Sequence, residues 1–275
     1  MPEPGAGIES KTVLDRGDRR PHGAAMAITI LSPAERERLR KAGRAAAATL
    51  AHVGARLAPG MTTAAIDRLV RAHTAAQGGR PSQLGYHGFP AAVCVSPNDV
   101  VCHGVPSEHV RLVEGDIVNV DVTTELDGYH GDTSATFVIG AAAPHARALV
   151  ELARGARDAG VAAAVPGARL GDIGAAIVAH VGAAGRVVEA YGGHGIGRAM
   201  HLEPRVAHVG RAGTGHRLRA GMAFTIEPMV NAGGAAVRTD ADGWTVRTAD
   251  GALSAQFEHT VLIGPHGPEI TTAID

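Results

Sequence analysis

The order of apolar and polar positions divides the chain into helical and strand-like stretches. Ser32-Pro33-Ala34-Glu35 reads as a helix start, with Ser at the N-cap, Pro at the first helical position and Glu three residues after the cap. The helix is expected to run through an Ala-rich stretch and stop before Pro59-Gly60. A second helix is predicted at about 62–77, followed by strand-like runs at 92–95, 117–123 and 133–139. Helical periodicity returns at about 145–164 and 170–184. Strand runs near 186–189, 223–230, 244–248 and 257–263 complete the pattern. Residues 1–25 carry no apolar period and are expected to form a flexible N-terminal extension, with order beginning near Met26.

Landmarks recur at a near-constant offset. Pro59-Gly60 returns as Pro166-Gly167, Ile66 and His73 as Ile173 and His180, and His87-Gly88 as His194-Gly195, all 107 residues later. Leu112-x-x-Gly115, ending in Val120-Asp121, returns 106 residues later as Leu218-x-x-Gly221, ending in Ile226-Glu227. The four together imply a duplicated helix–strand unit, with half-repeats at about 33–140 and 145–265 related by a pseudo-two-fold. Each half offers an acidic residue on a corresponding strand, so the interface of the halves is the natural place for a site.

Composition narrows the classes. The chain has 275 residues, 45% hydrophobic and 19% charged, which excludes general disorder. Its formal charge of −1 leaves no basic excess for a broad nucleic-acid surface. No apolar run is long enough to span a bilayer, and the polar N-terminus is not a secretory signal, so a membrane role is not expected. The two cysteines, Cys94 and Cys102, form no CxxC pair and fit a reducing compartment, most simply the cytoplasm. Only eight residues are aromatic against 37 glycines and 52 alanines, so the core must be built from small aliphatic side chains.

Several carboxylates stand where carboxylates are rare. Asp121 interrupts the apolar run 117–122, Glu227 follows Phe224-Thr225-Ile226, and Glu258 lies in Gln256-Phe257-Glu258-His259. Asp127-Gly128 carries the signal of a two-residue hairpin turn. If Leu126 faces Tyr129, then 121 opposes 134 and 123 opposes 132, which puts Asp121 and Asp132 on one face of the sheet. Two carboxylates held together repel unless a cation lies between them, and a divalent metal is the simplest resolution. His194 stands out among 15 histidines because Gly192, Gly193, Gly195 and Gly197 frame it and because its His-Gly is duplicated.

At this point a family becomes recognisable. Tyr86-His-Gly-Phe-Pro90, Val101-Cys-His-Gly-Val-Pro106, Asn119-Val-Asp-Val-Thr123 and Gly131-Asp-Thr-Ser134 resemble the type I methionine aminopeptidases. Gly193-His-Gly-Ile-Gly-Arg198, Thr225-Ile-Glu-Pro-Met229, Asp242-Gly-Trp-Thr-Val246 and Leu253-Ser-Ala-Gln-Phe-Glu-His259 continue the series in the family's order. The resemblance covers about 26–270. It implies the α/β (α+β) pita-bread fold, an antiparallel sheet with flanking helices and internal pseudo-two-fold symmetry, and makes 26–275 a single metallopeptidase catalytic domain.

The resemblance also implies roles. The metal ligands would be Asp121, Asp132, His194, Glu227 and Glu258, holding two divalent ions from among Co, Mn, Fe, Zn or Mg. Asp132 and Glu258 would bridge the ions, Asp121 would chelate one, and His194 and Glu227 would bind the other. Four carboxylates and two divalent ions balance in charge. Glu227 would shuttle a proton to the leaving amine, and His103 and His201 would hydrogen-bond the substrate amide. Tyr86, Phe89, Cys94, Met200 and Trp244 would line the methionine pocket, joined by His103 and His201 at its mouth. Met200 and Gln83 depart from relatives that often carry an aromatic residue and a cysteine there. A monovalent cation is expected near Asn98 and Ser254.

The implied activity is removal of the initiator methionine from nascent proteins with a small second residue. The enzyme is expected to be cytoplasmic and monomeric, with N-terminal methionyl peptides and nascent chains as substrates; residues 1–25 read either as a regulatory or ribosome-contacting extension or, if Met26 is the true start, as outside the protein. An Xaa-Pro aminopeptidase or prolidase relative is the second enzymatic reading, although those enzymes commonly carry an additional N-terminal domain. A catalytically dead pita-bread protein that binds a partner is the third, and would be expected to have lost ligands. The chain keeps all five. Seven aromatic residues fall within three positions of a proposed ligand or on a pocket position, which implies that the rings surround the site.

Overall fold

The computed structural model describes residues 27–273; the expected flexible extension at 1–25 and the start near Met26 lie outside them. Four helices are formed: α1 (Pro33–Gly54), α2 (Thr63–Ala76), α3 (Pro144–Ala163) and α4 (Leu170–Val181). In the first half the strands are β1 (Arg80–Pro81), β2 (Cys94–Pro97), β3 (Val100–Cys102), β4 (Ile117–Leu126) and β5 (Tyr129–Val138). The second half contributes β6 (Arg186–Val187), β7 (Gly192–Gly195), β8 (Leu202–Ala207), β9 (Ala223–Ile226) and β10 (Met229–Asn231). It ends with β11 (Val237–Thr239), β12 (Val246–Thr248), β13 (Ser254–Gln256), β14 (Glu258–Ile263) and β15 (Pro268–Ile270).

The cap of α1 forms as its sequence dictates. Ser32 Oγ accepts from Glu35 N–H, and the Glu35 carboxylate accepts from Ser32 N–H at 2.9 Å. The same carboxylate accepts from the Tyr129 hydroxyl at 2.8 Å, which pins the helix start to the sheet.

A nine-stranded antiparallel sheet has the central order β1-β4-β5-β14-β9-β7-β8, with β2 on β4 and β15 on β14. Two three-stranded sheets, β13-β10-β6 and β11-β12-β3, flank it. One face of the large sheet carries the helices. Val118, Val120 and Val122 of β4 join Leu50 and Val53 of α1 and Ile66 and Val70 of α2 in one core. Phe224, Ile226, Phe257 and Val261 join residues of α3 and α4 in the other. Residues of opposite parity therefore project from the other face, where the site lies.

The α1–β5 contact shows how a chain poor in rings fills its core. Gly131 of β5 lies directly against Ala42 and Gly43 of α1. A Cβ at Gly131 would overlap Gly43 N and lie 2.5 Å from Ala42 C and Gly43 Cα. Backbone cannot yield as a side chain can, so Gly131→Ala is expected to destabilise the protein by about 1–3 kcal/mol or more. A thermal melt would show a drop of several degrees, and an unchanged melting point would contradict the close contact.

The expected hairpin forms in the expected register: Leu126 faces Tyr129, Asp121 faces Ser134 and Thr123 faces Asp132. Asp127 and Gly128 both take positive φ, 53° and 77°, as a tight hairpin turn requires. The run expected at 223–230 is instead two strands. β9 pairs with β14 in the large sheet, and β10 pairs with β13 in a small one. The chain changes sheets at Glu227-Pro228, where proline has no N–H to continue the ladder. It changes back at Phe257, between β13 and β14. Two proposed ligands, Glu227 and Glu258, stand at these crossings. Strands β1, β3, β7, β8, β11, β13 and β15 are absent from the pattern: most have only two to four residues, and the Gly-Gly-His-Gly of β7 lacks apolar alternation.

Candidate metal centre

Five residues from five strands or strand ends meet on the face away from the helices. Cys94 of β2 opposes Asp121 of β4, Asp121 opposes Ser134 of β5, and Ser134 opposes Glu258 of β14. Asp132 is two residues from Ser134 and so shares its face. Beyond β14, Thr225 opposes Thr260, and Glu227 follows two residues on. His194 completes the row on β7, its backbone N–H donating to Thr225 Oγ1 at 3.0 Å. A side chain at Gly193 would run into the Thr225 backbone, so glycine there lets β7 approach β9 closely.

The functional atoms converge. One ligand atom each from Asp132, His194 and Glu258 lie within 4.8 Å of one another. His194 Nε2 is 3.6 Å from Glu227 Oε1 and 3.8 Å from Asp132 Oδ2. Other groups hold the carboxylates in place. The Thr123 hydroxyl donates to Asp132 Oδ1 at 2.8 Å, and the Thr225 hydroxyl to Glu227 Oε1 at 2.7 Å. Gln256 Nε2 donates to Glu227 Oε2 at 3.3 Å, and Gln83 Nε2 to the Asp121 backbone carbonyl at 2.9 Å. His208 Nε2 accepts from Glu227 N–H at 3.1 Å. Of these supports only Gln83 was singled out from the sequence. A period-two signal marks three of the others: Thr123, Thr225 and Gln256 each stand two residues from a carboxylate, while His208 carries no such signal.

The electrostatics are those of a site built for cations. Burial pushes the Asp132 carboxyl up to about 7 and the Glu227 carboxyl up to about 8. Burial, with neighbouring carboxylates adding repulsion, drives Asp121 and Glu258 well above the usual range. His194 is pushed down to about 4 by burial, so its imidazole is neutral at pH 7 and free to ligate. Four carboxylates this close together, two buried and two half-buried, cannot all ionise without positive charge between them. Oxygen donors with one neutral imidazole suit hard or borderline divalent ions. Burial raises both the Cys94 and Cys102 thiols well above their ordinary value, so neither offers a thiolate. The donor set therefore fits divalent ions.

The remaining expected residues surround this centre. His201 packs on His194 with ring centroids 4.0 Å apart and shares a 2.8 Å hydrogen bond with the Tyr86 hydroxyl. His103 lies edge-to-face with Tyr191 at 5.5 Å. Among the described residues it is one of four non-glycine residues with positive φ, and its buried Nδ1 has no partner there. Phe89 and Trp244 meet edge-to-face at 5.2 Å and cluster with Ala91 and Cys94. Met200 is buried next in sequence to His201 but outside that apolar cluster. Asn98 and Ser254 meet through a 2.9 Å backbone hydrogen bond. Ser254 Oγ and the facing Asn231 Oδ1 are buried without partners.

The expectation that the rings surround the site needs correction. Tyr129, Phe224 and Phe257 stand an odd number of residues from Asp132, Glu227 and Glu258, and alternation sends them to the helix-bearing side. Phe224 and Phe257 fill the α3–α4 core, and Tyr129 packs with Leu39 and Ala42 of α1. Tyr191, Tyr86, Phe89 and Trp244 do lie about the site.

Comparison with known proteins agrees with this geometry. Metallopeptidase family M24 matches residues 37–265. The chain is 49% identical to methionine aminopeptidase A of Synechocystis sp. over 247 residues, which cover 89% of this chain and 97% of that protein. It is 45% identical to the methionine aminopeptidase of Escherichia coli over 249 residues, 90% of this chain and 94% of that one. The crystal structure of methionine aminopeptidase from Rickettsia prowazekii superposes with a TM-score of 0.88 at 42% identity, covering 90% of this chain and all of that one.

Proposed function

The chain belongs to metallopeptidase family M24 and has its pita-bread fold, and from that premise we infer that it is a methionine aminopeptidase, a hydrolase that removes N-terminal methionine from polypeptides. The observation that carries this reading is the convergence of Asp132, His194 and Glu258 on one face of the sheet, with the half-buried Glu227 and Asp121 against them.

We assign Asp121, Asp132, His194, Glu227 and Glu258 as the residues that would hold two divalent ions. When bound, such ions polarise a carbonyl and lower the pKa of water. Glu227 is held at Oε1 by Thr225 and near Oε2 by Gln256, so its carboxylate is fixed to take a proton from the attacking water and pass it to the departing amine nitrogen. His103 is half-buried and neutral, and offers a ring N–H to the substrate amide. His201, held by the Tyr86 hydroxyl, is assigned the same role. The Phe89–Cys94–Trp244 cluster offers an apolar wall for a thioether side chain, and we assign Tyr86 and Met200 to the same pocket. The partnerless Asn231 Oδ1 and Ser254 Oγ support a monovalent cation near Asn98.

The isolated bridges Thr62–Arg111 and Arg169–Arg217, 107 and 106 residues apart, support the half-repeat reading of a single catalytic domain. Among the described residues no helix is long and apolar enough to cross a membrane. We place the enzyme in the cytoplasm as a monomer acting on nascent chains, with the ribosome as its contact.

Methionyl peptides with Ala, Gly or Leu in second position, assayed with added Mn or Co, test the specificity. Met-Ala and Met-Gly peptides are expected to release methionine roughly tenfold or more faster than Met-Leu. Chelation should abolish release. Equal release from all three would overturn the small-residue specificity, and cleavage of Xaa-Pro peptides instead would favour the prolidase-like reading.

A further inference from the structure

Gln83 occupies a gap in the sheet. The β4 edge away from β5 is covered from one end by β1, whose Pro81 faces Thr124, and from the other by β2, whose Cys94 faces Asp121. After Ser82 N–H donates to the Thr123 carbonyl at 2.9 Å, the chain leaves the sheet and returns only at Cys94. Between these points β4 still presents the Thr123 N–H and the Asp121 carbonyl. The Gln83 side-chain amide takes both: Oε1 accepts from Thr123 N at 3.1 Å, and Nε2 donates to Asp121 O at 2.9 Å. It thus stands in for the missing peptide group of the ladder. The same Nε2 reaches the Asp121 carboxylate, 3.4 Å from Oδ1, and Gln83 is 7% exposed.

The segment that Gln83 anchors carries the site's mouth. Gly85 N–H donates to the Phe89 carbonyl at 2.9 Å, closing a tight turn that holds Tyr86, whose hydroxyl meets His201. One buried amide therefore ties the Asp121 strand to the loop that bears Tyr86 and Phe89.

We propose that Gln83 is a positioning residue that fixes the Asp121 backbone and carboxylate for metal binding. The proposal rests on the reading of Asp121 as a metal ligand. Polar groups behind a ligand orient it, and their removal typically weakens metal binding by about 10–100-fold.

The test compares Mn(II) affinity, measured by calorimetry on metal-stripped full-length protein, for the unaltered enzyme, Gln83→Met and Ser82→Ala. Gln83→Met keeps the length and loses the amide. Ser82→Ala removes the 2.8 Å contact between Ser82 and His130 in the same segment without touching Asp121. The expected result is an approximately 10–100-fold loss of Mn(II) affinity in Gln83→Met alone, with a lower kcat at saturating Mn and a KM for a Met-Ala peptide within about twofold. Unchanged Mn(II) affinity and kcat in folded Gln83→Met would overturn the proposal, as would a change in KM alone or an equal loss in Ser82→Ala. If Gln83→Met does not fold, Gln83→Asn, whose amide is one methylene too short to span the gap, is read by the same criteria. Failure of the unaltered protein to bind Mn(II) would overturn the metal-centre reading itself and this proposal with it.

Discussion

Asp132→Asn is expected to abolish peptidase activity and, at the same time, to make the metal-free protein more stable at pH 8. Asp132 stands at the centre of the cluster, bonded to Thr123 at one oxygen and 3.8 Å from His194 Nε2 at the other. Asparagine keeps the shape but offers one neutral oxygen where two ions would share a carboxylate. A loss of at least about 10³-fold in kcat/KM is expected, several kcal/mol of transition-state stabilisation. The stability change has the opposite sign. Burial raises the Asp132 carboxyl from its ordinary 3.8 to about 7. The unfolded chain ionises first as pH rises, so metal-free folding loses stability between about pH 4 and 7 and carries the full cost above 7. Asparagine does not ionise and escapes that cost. Thermal melts of metal-stripped protein at pH 8 should therefore place Asp132→Asn above the unaltered chain. A lower melting point would show that Asp132 is structural, and retained activity would remove it from the metal centre.

The same tension explains which parts of the site were legible in the sequence. A carboxylate in an apolar strand is costly, and costly residues stand out; Asp121, Glu227 and Glu258 were visible for that reason. The Asp127-Gly128 turn set the register, and alternation then put Asp132 on the face of Asp121. The supporting groups cost nothing locally. Threonine is at home in a strand, so Thr123 and Thr225 gave no signal of their own although both bond a carboxylate. Parity also corrects the aromatic expectation, because nearness in sequence is not nearness in a sheet. Phe257 is adjacent to Glu258 in sequence and lies on the opposite face, in the α3–α4 core. The sheet change at Glu227-Pro228 was hidden because 223–230 reads as one apolar strand, and the one at Phe257 because the three-residue β13 before it gives no strand signal. Gln83 shows the limit most clearly. Its departure from relatives was visible, but its place as a substitute peptide group depends on where β1 stops and β2 begins.

His103→Ala should separate catalysis from metal binding. Its imidazole is half-buried and withdrawal from water pushes it down to about 4, so at pH 7 it is a neutral donor. Its backbone is held at φ 55°, a conformation that non-glycine residues seldom keep without a reason, and its buried Nδ1 has no partner among the described residues. A buried polar atom without a partner is explained if the partner is substrate. Such a donor, fixed in a dry site and aimed at developing negative charge, is worth about 10²–10³-fold in kcat. His103→Ala is therefore expected to lose that much turnover while Mn(II) affinity, measured on the same preparation, changes by less than about threefold. His103→Gln, which restores a side-chain N–H, should recover part of the loss. Parallel loss of Mn(II) would make His103 a ligand or a support of one. An unchanged kcat would mean that the donor to the substrate amide lies elsewhere, and His201, packed against His194, would be the next side chain to substitute.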